Sequence, residues 1–289
     1  MTQGSVQSPT GSAGGYQDVV VQLTGSSEDE ARLAMAEAVA TTFGAHIIGV
    51  HLHLLPDILD IADPLGSAEV RTLLEASERE ADMAFERLEM RMSRLGASHE
   101  IHRLHGLLAD VAIELAQMVR RADLFIGTRP YGDPEGRYRI EEEVLFNSGH
   151  GCLFVPPGGT PHRRFDTIVI AWDNTREAAR AVAEAMPFLV RATAVRLIHV
   201  ASTWDDNRDP AQELSSVAGH LRRHGVYAET IIVPFAGDTG EQIEQIAHQQ
   251  AADLIVMGAY GRMRLIELVF GGATRAILRH ATLPVLMAH

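Results

Sequence analysis

Cysteine is nearly absent from this chain: Cys152 is the only one in 289 residues. One thiol excludes an intramolecular disulfide, which fits a reducing compartment. Basic charge is short as well. A formal net charge of −13 leaves no basic footprint for a nucleic acid or an anionic membrane surface. No apolar run approaches the length of a membrane span. The opening stretch MTQGSVQSPTGSAGG has neither a basic nor an apolar block, so residues 1–15 read as a disordered tail rather than a secretory leader. Together these absences lead us to expect a cytoplasmic protein with no nucleic-acid and no membrane partner. Apolar side chains, by contrast, are plentiful. Hydrophobic residues make up 46% and charged residues 22%, the balance of a globular chain long enough for two domains.

Strand and helix patterns alternate along the chain. DVVVQL (Asp18–Leu23) reads as a short buried strand, and TGSSEDE after it as a helix start with Ser26 or Ser27 as cap. Strands at HIIGVHLH, SHEIHRLHG, DLFIGT and CLFVPP are spaced by amphipathic helices. After Pro156–Arg164 (PPGGTPHRR) the order restarts with DTIVIAW, AVRLIHV, YAETIIV, DLIVMG and PVLMA. Short continuous apolar runs separated by helices predict an α/β fold of two tandem, doubly wound, parallel five-stranded sheets. The likeness of ADLFI (Ala122–Ile126) to ADLIV (Ala252–Val256) points to an internal duplication. We therefore divide the chain into a tail, a first domain at 16–157, a linker at 158–164 and a second domain at 165–289. Each domain ends in an apolar edge strand, so the final strands CLFVPP and PVLMA are expected to pair as in a pseudo-dimer. Self-association of the whole chain stays open.

The stretch GAYGRMRLIELVFGG (Gly258–Gly272) leaves a strand through Gly258 and Gly261 and enters a helix through Gly271 and Gly272. Glycine at a strand exit permits φ > 0 and close approach of a ligand. Glycine at a helix mouth leaves the first N–H groups bare for an anion. With its surroundings, the stretch resembles the Gly-x-x-Gly-x9-Gly-(Ser/Thr) motif of nucleotide-binding universal stress proteins. IVIAWDNT resembles that family's opening strand, with Asp173 where adenine and ribose are held. The resemblance covers about 163–289 and extends more weakly over 16–157. It implies a tandem protein of that family, non-enzymatic, binding ATP or a related adenine nucleotide, alone or with Mg2+. The residues it assigns to that ligand are Ala171, Asp173, Val200, Gly258, Gly261, Arg262, Gly271, Gly272, Ala273 and Thr274. Gly272 departs from the pattern, having no hydroxyl. One lost hydrogen bond to a charged group costs about 1.5–3 kcal/mol, which weakens binding without abolishing it. Thr274 stands two residues on and is the nearest hydroxyl in that turn.

The first half lacks this constellation. Its opening strand ends in Thr24–Gly25, and Glu141, Glu142 and Glu143 crowd the helix that follows its loop. Acids there satisfy the helix dipole and repel a phosphate, so this half is expected to be a structural partner or to hold a different ligand. His51 and His53, with His99, His102 and His105, have spacings that a metal could use; no cysteine joins them, and they read as polar residues at strand ends and sheet edges. Cys152 reads as a small buried hydrophobe. A second function remains beside the first, a nucleotide-free scaffold of the same fold acting through protein contacts. A third, an adenylyl transferase or flavoprotein on a related fold, finds no HIGH-like or KMSKS-like signature and no Walker lysine.

Overall fold

The computed structural model describes residues 14–56, 68–129, 140–158, 164–201, 209–261 and 272–289. The first half runs β1 (Asp18–Leu23), α1 (Asp29–Phe43), β2 (His46–Leu54), α2 (Ala68–Met92), β3 (His99–Gly106), α3 (Leu108–Val119), β4 (Leu124–Thr128), α4 (Ile140–Asn147) and β5 (Gly151–Val155). The second runs β6 (Thr167–Ala171), α5 (Arg176–Leu189), β7 (Ala194–Ala201), α6 (Pro210–Arg223), β8 (Ala228–Pro234), α7 (Thr239–Gln249), β9 (Leu254–Gly258), α8 (Ala273–His280) and β10 (Val285–Ala288). The elements are α/β throughout, as the alternation predicts.

The strands form one ten-stranded sheet in the order β3-β2-β1-β4-β5-β10-β9-β6-β7-β8. Each half reads 3-2-1-4-5 in its own count, the order of a doubly wound unit with helices on both faces. Every pairing is parallel except the central one. There β5 and β10 run antiparallel, with Leu286 opposite Leu153 and Met287 opposite Cys152. Two apolar edges that would invite aggregation thus cover each other. Alternate residues of β1 enter different core clusters, Val19 and Val21 one and Val20 the other, and both clusters run through both halves. Among the described residues no helix is long and apolar enough to cross a membrane.

One local expectation fails. Neither Ser26 nor Ser27 caps α1; Glu28 takes the cap position in a helical conformation with no side-chain bond. Asp29 explains this. Its buried carboxylate accepts from the N–H groups of Thr24 and Gly25 at 2.9 and 2.7 Å and pairs with Arg32 at 2.7 Å. The Ser26 hydroxyl turns instead to Thr24 Oγ1, 2.8 Å away.

Candidate functional site

β6 brings Ala171 to the carboxyl edge of the second half's sheet, and neighbours hold the chain that leaves it. The Trp172 N–H donates to the Ile198 carbonyl, and the Trp172 carbonyl accepts from His199 Nδ1 at 2.9 Å. Asn174 turns left-handed at φ 57, which asparagine tolerates better than most residues. Thr175 then caps α5: its Oγ1 accepts from the Ala178 N–H at 3.1 Å and donates to Asp173 Oδ1 at 2.6 Å. Asp173 is thereby fixed by one oxygen, while Oδ2 has no hydrogen bond among the described residues.

Ala171, Asp173, Val200, Gly258 and Ala273 line one cleft, with Trp172 and, from α7, Thr239 and Ile243. The enclosed part of the cleft holds about 80 Å³, well below the roughly 300–1,000 Å³ of ordinary small-molecule sites. It lies beyond the carboxyl ends of parallel strands, the usual ligand position in such sheets. Thr239 and Ile243 escape a reading of the sequence because only packing brings α7 here.

The glycines serve packing first. Neither Gly258 nor Gly261 has a positive φ; the residue that turns left-handed is Tyr260, at φ 56. A Cβ on Gly258 would run into the Ala178 nitrogen and the Glu177 carbonyl carbon, and one on Gly261 would lie 2.8 Å from Thr175 Oγ1. Their bareness lets the start of α5 close against the strand exit. Gly272 stands at the head of α8 with φ −58 and no side-chain cap bond. Thr274 is buried, and its Oγ1 accepts from the Tyr260 N–H at 3.1 Å, tying the loop to the helix. The Tyr260 hydroxyl donates to Glu142 Oε1 at 2.8 Å, so α4 of the first half holds the second half's loop. Arg262 and Gly271 lie outside the described residues.

The matching edge of the first half differs in kind. Asp29 already occupies the loop N–H groups there, and Gln22 Nε2 donates to Glu141 Oε1 at 2.6 Å. A wider cleft, about 530 Å³, is lined by Thr24, Gly25, His51, His53, Ser77 and Arg87 among others. The histidines do not all sit at edges. His51 and His53 are buried on an interior strand; burial first, then Arg103 and His53, lower the His51 pKa to about 4. Parallel register sets His53 beside His105, with the two Nδ1 atoms 2.8 Å apart. Cys152 is fully buried, and burial pushes its thiol pKa up.

Residues 164–289 match the model of the Universal stress protein family. A universal stress protein of Synechocystis sp. is 31% identical over 152 residues, covering 50% of this chain and 49% of that protein. One of Methanocaldococcus jannaschii is 29% identical over 75 residues, 26% of this chain and 45% of that one. The chain spans about half the length of the curated relatives it matches. Among solved structures, a universal stress protein from Archaeoglobus fulgidus aligns over 94% of this chain and 95% of its own, with a TM-score of 0.72 and 16% identity. At that identity the likeness is one of fold, and it extends over both halves.

Proposed function

We propose that the second half binds ATP, alone or with Mg2+, in the cleft beyond β6 and β9. On this reading the protein is a tandem universal stress protein, a cytoplasmic nucleotide-dependent regulator of a stress response and not a catalyst. One observation carries the reading: Ala171, Asp173, Val200, Gly258 and Ala273 come from separate elements and line a single cleft. Asp173 has one oxygen available to accept from a ribose or an adenine amine. The head of α8, with no side-chain cap, offers N–H groups and a positive dipole end to phosphate. The first half, 16–157, is then a second domain of the same family that has lost the constellation. A scaffold reading also has an observation in its favour, since Gly258 and Gly261 are needed for α5 packing whether or not a ligand binds.

Calorimetric titration with MgATP and with adenosine separates the two. We expect at most one site per chain. Asp173→Ala weakens both ligands. Gly272→Ser, at a φ that any residue adopts, tightens ATP about ten- to a hundredfold and leaves adenosine nearly unchanged. No binding at millimolar nucleotide favours the scaffold, and two equivalent sites contradict the asymmetry between the halves.

A further inference from the structure

We infer that the first half carries a site for a zinc-like divalent transition metal, formed by His53 Nδ1, His105 Nδ1 and Glu78 Oε2, with a fourth position left to water or a ligand. The three donors come from three elements. β2 and β3 run parallel with His53 and His105 as register partners near their carboxyl ends, and α2 supplies Glu78. The donor atoms lie within 4.8 Å of one another. The two Nδ1 atoms are 2.8 Å apart, and Glu78 Oε2 is 3.6 Å from His53 Nδ1 and 3.7 Å from His105 Nδ1. A tetrahedral ion with bonds of about 2.0–2.1 Å needs donors roughly 3.3–3.4 Å apart. The observed triangle brackets that value, so each side has to change by only about half an ångström.

The protonation pattern of His53 suits a ligand, whereas His105 Nδ1 donates to His53 Nδ1 at 2.8 Å and has to move its proton to Nε2 before it can bind an ion. Arg103 Nη2 lies 3.0 Å from His53 Nδ1 and has only hydrogens to offer, so that nitrogen accepts. The ring proton of neutral His53 is therefore on Nε2, where it donates to Ser77 Oγ at 2.9 Å. A ligating histidine is ordinarily fixed this way, with the distal N–H bonded and the other lone pair aimed at the ion. His53 also lines the first-half cleft, so a ligand bound there is close to the metal. Three protein donors and one open position make the pattern of a site that binds or activates something.

Arg103 is the cation that holds these donors without a metal. Besides His53, Nη2 donates to Glu78 Oε1 at 3.1 Å, while Nη1 pairs with Asp82 at 2.5 Å. Arg103 Nε is buried with no hydrogen-bond partner among the described residues. An entering ion displaces Nη2 and leaves the guanidinium on Asp82. Arg103 therefore weakens the site by competition and by like charge, and its removal should strengthen binding.

The test is titration of the untagged full-length chain with Co2+, read by its visible absorption, followed by displacement with Zn2+. One equivalent with the intense band of four-coordinate cobalt is expected. His105→Ala and Glu78→Gln alter half-exposed side chains, and thermal unfolding confirms that each variant is folded. His105→Ala should lose more than the roughly 10–100-fold that an outer-shell change costs. Glu78→Gln should weaken binding, and Arg103→Met should tighten it by about tenfold or more. His220→Ala, which alters the exposed pair of His220 on α6 and His224 just beyond its end, should leave this equivalent in place. A folded His105→Ala or Glu78→Gln chain that binds Co2+ as the wild type does overturns the site. So does the absence of the band at millimolar Co2+.

Discussion

Glu141 is a half-buried carboxylate with one side-chain hydrogen bond, from Gln22. Burial raises its pKa, against the opposing pull of that bond and of Arg32 nearby. Gln22 Oε1, meanwhile, is buried with no donor among the described residues. Glu141→Gln removes a charge from a poor dielectric and supplies an amide N–H that Gln22 can accept. The sign with pH follows from the direction of the shift. The native state holds its proton to higher pH than the unfolded chain, so stability falls as pH rises from the ordinary carboxylate value to the raised one, and the penalty is complete above it. Below the usual carboxylate range both states are neutral and the penalty vanishes. Glu141→Gln should thus stabilise the protein by on the order of 1 kcal/mol at pH 8 and by less at pH 4, read from urea midpoints at unchanged slope. A loss of stability at pH 8 would mean that Arg32 depends on the charge.

Among the elements, the start of α5 organises the second half's cleft. It is seated against the exit of β9, and that contact exists because Gly258 has no side chain. Overpacking a fitted contact costs about 1–3 kcal/mol, so Gly258→Ala should lower the unfolding free energy by that much without any nucleotide present, read as a lower urea midpoint at unchanged slope. If ATP affinity falls in the same variant, the effect on stability has to be subtracted first. At this scale much of the molecule was legible. Buried parallel strands announce themselves as short apolar runs, and β6, expected at Asp166–Trp172, is found at Thr167–Ala171. The start of α1 was not legible, because a buried aspartate bonding back to the strand exit looks in sequence like any acid in a first turn. The same limit applies to the sites. Asp173 and Gly258 stand at strand ends and can be placed from spacing. The Tyr260–Glu142 bond, the α7 wall and the meeting of His53 with His105 and Glu78 depend on register and packing, which spacing does not encode.

For the whole molecule, the antiparallel seam is reinforced by an aromatic cluster drawn from both halves. Tyr16 and Phe43 come from the first and Phe165 and Phe188 from the second. Phe188 lies 5.2 Å from Tyr16, 5.1 Å from Phe43 and 4.5 Å from Phe165, ring centre to ring centre. The Tyr16 hydroxyl also donates to the Glu184 carbonyl at 2.6 Å. Each core cluster crosses the seam, so neither half can open without exposing apolar surface of the other. The halves should therefore unfold as one cooperative unit, and the chain carries its own probes for this. Both tryptophans, Trp172 and Trp204, belong to the second half, whereas the single thiol, Cys152, belongs to the first and is fully buried. Tryptophan fluorescence and pulsed alkylation of Cys152 should give coincident urea midpoints. Phe188→Ala, made in the second half, should cost about 3–5 kcal/mol and move both midpoints together. If fluorescence shifts while Cys152 protection stays where it was, the halves are separate folding units that merely touch, and the seam contributes little to stability.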